Sequence, residues 1–238
     1  MATPLNATVL KAFDLLDLFG PDRREITADN AARDLDMTYA TAHRFLVTLE
    51  SSGILSATRR GVYGPGPRLA RLGRMAEALS PLPAGLQSAL DGLRRDLGES
   101  VMACRYTPRG PLCVAVSQAE RPISVNIRTG TTLPMLPSAQ GRLFLAYMSA
   151  AQRTAWAKSQ GQSLDDIAGE LDELRRVGCA VNLGDNEPDI AAVSVPVLGA
   201  DGQVIVTLSV FGMLSRFDAA TVDHAKAALL SVADTLGH

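Results

Sequence analysis

Cysteine and histidine are scarce, with three of each in 238 residues. Cys104, Cys113 and Cys179 are odd in number and show no CxxC spacing, and His43, His224 and His238 lie far apart. A disulfide framework is therefore excluded, and neither a zinc site nor any other metal or cofactor site is signalled. No run approaches the roughly 18 consecutive apolar residues of a membrane helix. The opening MATPLNATVLKAFDLLDLFGPD carries acids inside its apolar part, so no span or export leader is expected. A reducing cytoplasm is the expected location. Glycine-rich phosphate loops are missing too. Charged residues make up 20% of the chain, hydrophobic residues 47%, and the net charge is −2, which excludes a disordered tail.

What remains is ordinary globular composition, at a length that suits two unequal domains. Charge is distributed unevenly between them. Residues 1–37 hold four bases against seven acids, and residues 81–238 hold 13 against 16. Between them, residues 38–75 hold six arginines (Arg44, Arg59, Arg60, Arg68, Arg71, Arg74) against Glu50 alone. A nearly neutral protein with one basic stripe can offer that stripe to a polyanion, because phosphate neutralisation depends on local charge. A solvated arginine-rich face would look the same on charge alone. The breaker cluster Ser80-Pro81-Leu82-Pro83 marks a boundary near residue 80.

Residues 5–19 place Leu5, Val9, Ala12, Phe13, Leu16 and Phe19 on one helical face, and Gly20-Pro21 stops the helix. Thr27 caps a short second helix through Leu35, with Ala31, Ala32 and Leu35 inward, and Thr38 caps a third over residues 39–52. Short helix, tight turn and longer helix make the helix-turn-helix pattern. On the third helix Ala42, Phe45, Leu46 and Leu49 share the core sector. The opposite sector carries Ala40, Thr41, Arg44, Val47, Thr48 and Ser51, flanked by Tyr39 and His43. Small, hydroxylated and basic groups of this kind suit a major groove about 12 Å wide, where Arg44 can read guanine edges and threonines can meet thymine methyls or phosphates. Two strand-like pieces, residues 54–57 and 62–63, join at Thr58-Arg59-Arg60-Gly61, a basic hairpin that would set Arg59 and Arg60 against the DNA backbone or minor groove. The segment RLARLGRMAEAL predicts a helix that pairs with a second copy through Leu69, Leu72, Met75, Ala76 and Leu79.

With these residues in place, the run TYATAHRFLVTLESSGIL and the wing GVYGPGPRLARLG resemble the winged helix-turn-helix of IclR-type bacterial transcriptional regulators. The usual start of that recognition helix reads roughly P-K-S-T-A-H-R-L-L-x-T-L. Thr41, Ala42, His43, Arg44, Leu46, Thr48 and Leu49 match it, whereas Thr38, Tyr39 and Ala40 stand where proline, lysine and serine are usual. Two expected donors are thereby lost, and the family's usual operator half-site does not carry over.

Beyond residue 83, strand-like stretches at 101–106, 112–118 and 123–128 precede a helix capped by Ser138 and running to Met148, and then an acidic-then-basic helix at 164–177. Residues 191–198 and 203–211 read as a hairpin around Gly199-Ala200-Asp201-Gly202, and a helix from about Ala219 to Leu236 follows. The pattern predicts an α+β domain with one sheet face covered. This region resembles the GAF-like effector-binding domain of the same regulators, which captures a small metabolite. The resemblance divides the chain into a winged helix-turn-helix at 1–66, a linker helix at 67–82 and an effector domain at 83–238.

It also implies a pocket lined by Ser138, Ala139, Gln140 and Gly141 and walled by Val125 and Leu133. Asn182 falls where family members often carry aspartate, Ala192 where cysteine is frequent, and Ser209 and Phe211 complete the set, Phe211 replacing a serine. These replacements point to a less polar effector, aromatic compounds among the candidates, unless Phe211 simply belongs to the core. Arg128 and Arg142 are candidates for holding an effector carboxylate, and Gln140 for a hydrogen bond beside the helix N-terminus. The expected function is a ligand-responsive DNA-binding regulator, by family habit a repressor, acting as a dimer or dimer of dimers on a pseudo-palindromic operator. The competing readings are an enzyme built on one of the cysteines with His224, and a metabolite sensor whose winged helix mediates protein contacts.

Overall fold

A computed structural model describes residues 6–20 and 22–237. Leu5, Pro21 and His238, invoked above, lie outside the described residues. The chain divides between Pro81 and Leu82 into two compact units.

The first unit opens with α1 (Ala7–Leu16), capped by the Asn6 side chain. A two-residue strand β1 (Ile26–Thr27) leads into α2 (Ala28–Asp34), whose N-terminus carries a capping box in which the Thr27 and Asn30 side chains satisfy each other's backbone amides. Next come α3 (Tyr39–Ser51), the hairpin strands β2 (Leu55–Arg59) and β3 (Val62–Pro65), and α4 (Pro67–Leu79). The hairpin is longer than expected: pairing continues to Arg59↔Val62, leaving Arg60-Gly61 as the turn, with Gly61 at a φ of +75°. Leu15, Ile26, Ala31, Ala42, Leu46, Leu55 and Tyr63 form the buried core. α4 belongs to this unit, fixed at its start by Gly66 and Arg68 backbone N–H groups donating to the carbonyls of Ile54 and Gly53. The apolar face expected of α1 turns out differently. Leu15 is the helix's buried residue, while Val9, Leu10 and Phe13 are exposed, as are Leu72, Met75 and Leu79 of α4.

The second unit contains α5 (Leu86–Leu97), β4 (Ser100–Arg105), β5 (Leu112–Ser117), α6 (Ala139–Tyr147), α7 (Ala150–Gln160), α8 (Ala168–Val177) preceded by a single 3-10 turn, β6 (Ala180–Leu183), β7 (Ile190–Leu198), β8 (Val204–Met213) and α9 (Ala219–Leu236). One antiparallel sheet has the order β5-β4-β8-β7-β6. Alternation along its strands sends Val101, Ala103, Val193, Val195, Leu208 and Val210 toward α5 and α9. The opposite face, carrying Met102, Cys104, Ser194, Ser209 and Phe211, lies under α6 with α7 and α8 packed behind. Both faces are thus covered, where one was expected: α6 and α9, both anticipated, pack on opposite faces, and α5 and α7, which were not anticipated, add to them. Their signals are nonetheless present: leucines at 86, 90, 93 and 97 for α5, and a Ser149–Gln152 capping box for α7.

Residues 123–128 form no strand. The outer edge of β5 is taken instead by the residues after them: Cys113 N–H donates to the Thr131 carbonyl, Gly130 N–H to the Cys113 carbonyl and Leu133 N–H to the Pro111 carbonyl. The pairing stops at Cys113 and does not continue back to residues 123–128.

Candidate functional sites: a helix face and a partly open cavity

In the first unit, Thr38 fixes the start of α3. Its Oγ accepts the Thr41 amide at 3.2 Å and shares a hydrogen bond with the Thr41 hydroxyl at 2.9 Å. Burial of Ala42 and Leu46, with Phe45 and Leu49 half-buried, turns the other side outward. Thr38, Tyr39, Ala40, His43, Arg44 and Thr48 are all exposed, Tyr39 by 55%, and Thr41 is half-buried. Tyr39 stacks on His43 with ring centroids 6.0 Å apart, an arrangement that replaces a flexible lysine by a flat, preorganised pair. The Thr48 hydroxyl is spent on the Arg44 carbonyl at 2.8 Å, so Thr48 offers mainly its methyl to a partner.

On the hairpin, Arg59 lies 3.5 Å from Glu25, an exposed pair that partly offsets its charge, while Arg60 stands exposed at the turn. Arg68 is otherwise engaged, donating to the Ser52 carbonyl at the end of α3.

In the second unit, the N-terminus of α6 closes a cavity of about 30 Å³ lined by Met102, Ile127, Leu133, Ser138, Ala139, Gln140, Asn182, Asn186, Ile190, Ala192 and Phe211. Seven of the twelve expected effector residues meet there. Pairing explains part of the convergence, since Asn182↔Ala192 and Ala192↔Phe211 are cross-strand partners. Ser138 caps α6 by accepting the Gly141 amide and donates to the Pro134 carbonyl. Asn182 donates to the Pro137 carbonyl and accepts the amides of Gly184 and Asp185, so it braces two loops. Gln140 is 2% exposed, and its amide nitrogen has no partner among the described residues. A buried donor left unmet is costly, which makes Gln140 the group in the cavity with capacity to spare.

The other five expected residues lie elsewhere. Val125 is half-buried in the packing beside the cavity. Gly141 serves packing: a Cβ there would sit 1.9 Å from the Met135 carbonyl oxygen. The Ser209 hydroxyl is buried one register step away in a 2.7 Å hydrogen bond with Ser194. Arg128 is exposed. Arg142, 15% exposed along its side chain, is bound by Glu170 at 3.0 Å, Asp185 at 2.8 Å and the Val181 carbonyl, so its charge is already matched. Met102, Ile127, Asn186 and Ile190 were missed. Met102 was accessible from strand alternation, but nothing local marks Asn186.

Three open surface hollows of about 400 to 420 Å³ are larger than the cavity. None of their described lining residues carries a buried polar side-chain atom without a partner, as Gln140 does among the cavity's apolar walls, and a few polar groups in an apolar setting are the usual signature of a small-molecule site. Of the three buried thiols, Cys104 is pushed well above the ordinary thiol range by its hydrogen bond with Cys113 and by burial, burial raises Cys179, and Cys113 is lowered by that same hydrogen bond while lying closed off from solvent. The His224 ring faces Asp96 at 3.5 Å. Among the described residues, no group of three or more His, Cys, Asp or Glu is placed to hold a metal, and no helix is long and apolar enough to cross a membrane.

Comparison with known proteins adds to this geometry. A family model described as bacterial transcriptional regulator IclR C-terminal matches residues 81–238, and one for the IclR helix-turn-helix domain matches residues 8–59. The chain is 23% identical over 225 residues to the HTH-type transcriptional regulator XynR of Escherichia coli (strain K12), covering 90% of this chain and 89% of that protein. A crystal structure of an IclR transcriptional regulator from Alicyclobacillus acidocaldarius superposes with a TM-score of 0.75 at 24% identity, over 98% of each chain. An IclR homolog from Microbacterium hydrocarbonoxydans, crystallised in complex with 4-hydroxybenzoate, superposes with a TM-score of 0.71 at 22% identity, over 97% of this chain and 99% of that one.

Proposed function

Because the chain belongs to the IclR family of bacterial transcriptional regulators, whose curated relatives are regulators and not enzymes, we propose that it reads a pseudo-palindromic operator through the outer face of α3 and the β2–β3 wing. Thr38, Tyr39, Ala40, Thr41, His43, Arg44 and Thr48 face the major groove, with Arg44 donating to a guanine edge. Arg60 and, after exchanging Glu25 for a phosphate, Arg59 hold the backbone. The exposure of the α3 face is the observation that carries this reading. A helix whose outer side were sealed by its own unit would have nothing to offer DNA.

Two copies join through the exposed apolar residues of α1 and α4, Val9, Leu10 and Phe13 with Leu72, Met75 and Leu79. Each unpartnered stripe costs free energy in water, and pairing places two recognition helices about 34 Å apart. A dimer of dimers then forms through the effector units. A small organic molecule, aromatic compounds among the candidates, occupies the cavity beside α6; the 4-hydroxybenzoate bound to the Microbacterium homolog supports an aromatic ring, though not the charge that ligand carries. The ligand prefers one of two arrangements of the dimer, transmitted through Ser80–Pro83, and so changes the operator affinity of a cytoplasmic repressor.

Titrating the full-length protein with duplex operator across a range of salt concentrations tests the core of this. Phosphate contacts require affinity to fall steeply as salt rises. Affinity that stays flat with salt would leave the winged helix as a protein-docking module.

A further inference from the structure

The cavity beside α6 also restricts the charge of what it accepts, an inference that rests on reading it as the effector site. Seven apolar side chains wall it: Met102, Ile127, Leu133, Ala139, Ile190, Ala192 and Phe211. Of the polar groups, Ser138 has its one O–H committed to the Pro134 carbonyl, Asn182 is engaged through both its nitrogen and its oxygen, and Asn186 is exposed to water at the rim. The Gln140 amide nitrogen is buried and unmet. No Arg, Lys or His lines the cavity. The nearby guanidinium, Arg142, already has two carboxylates on it, and one of them, Asp185, is the neighbour of the lining residue Asn186. An anion entering here would lose its water without gaining a cation. The α6 N-terminus offers only partial positive charge: its Gly141 amide is taken by Ser138, which leaves the amides of Ala139 and Gln140.

We infer that the effector is an uncharged, largely apolar molecule whose single acceptor oxygen, such as a ketone or amide carbonyl, receives a hydrogen bond from the Gln140 side chain. At about 30 Å³ the cavity has room for a water or two, so the ligand must displace part of the wall. The 184–190 segment, which supplies Asn186 and Ile190 and is exposed at residues 185–189, is the part able to yield.

The test uses the full-length protein with four probes that share one ring: acetophenone, benzamide, benzoate and ethylbenzene, their affinities measured by calorimetry at neutral pH. Acetophenone and benzamide are expected to bind at least tenfold more tightly than benzoate. Gln140→Leu, with Gln140→Met as a second variant, is expected to weaken acetophenone about fivefold and leave ethylbenzene unchanged. Ala192→Leu, or Ile190→Phe if that does not fold, fills the cavity and should abolish binding of every probe. If benzoate binds as tightly as benzamide and loses its affinity in the filled variant, or if Gln140→Leu leaves acetophenone unaffected, the inference is overturned while the cavity remains the effector site. Binding that survives in the filled variant, or that is missing for all four probes, overturns the reading of the cavity itself.

Discussion

On α3, every side chain proposed to meet DNA comes from one helix and its cap, and all but the half-buried Thr41 are exposed, the helix turning its buried side to the core. The cavity draws its lining from β4, the 127–133 segment, α6, β6, the loop after it, β7 and β8. One site is a surface that a single helical period produces. The other is a space left between elements, held open and shaped by hydrogen bonds between residues far apart in sequence. The difference teaches that chemistry on a helix face can vary without disturbing the fold, whereas the cavity's residues are also its structure. Asn182 and Ser138 brace loops there before any ligand arrives.

Substitutions can break that contrast or sharpen it. The largest effect should come from Gly141→Ala, whose new methyl would meet the Met135 carbonyl oxygen with backbone on both sides. It should cost about 3 kcal/mol, a fall in Tm of roughly 6 to 12 °C. A calorimetric melt within a degree of wild type would show that the cavity region yields as freely as a surface. Arg44→Ala should weaken specific operator binding by about 2 kcal/mol, close to thirtyfold in Kd, with an unchanged melt and unchanged effector binding. Loss of stability in that variant would mean that the α3 face is structural after all.

Smaller still is the cost of Ser194→Ala, about 1.5 kcal/mol in urea unfolding, since it strands the buried Ser209 hydroxyl. Replacing both serines with alanine should cost less than the two single changes together, and strict additivity would refute their pairing. Arg60→Ala should leave stability alone and reduce the salt slope of DNA binding by about one, a uniform weakening across sequences as expected of a phosphate contact.

How far each site was legible follows from the same contrast. Thr27 and Thr38 announced their caps, and residues 39–52 announced a core side and an outer side, because capping and periodicity are local. The family resemblance placed Ser138, Gln140, Asn182, Ala192 and Phe211 in one pocket, and the structure brings them together. It did not reveal that Arg142, a candidate ligand for a carboxylate, is already matched by Glu170 and Asp185. The apolar face that includes Phe13 shows a related limit: an apolar stripe records that a face avoids water without recording whether its partner lies in the same chain, and Phe13 is exposed.

The order of the letters was enough to decide the helix-turn-helix, its outward face, the basic hairpin and the family of the whole. Those features need only contacts within a few residues, or motifs dense enough to be matched one by one. Whether residues 123–128 pair as a strand, which arginine is occupied, and which polar atom is left unmet in the interior were settled by folding. Each depends on groups tens of residues apart competing for the same edge or the same donor. Asn182 reaches across to Pro137, and Arg142 to Asp185, and such competitions are resolved only when the elements have packed.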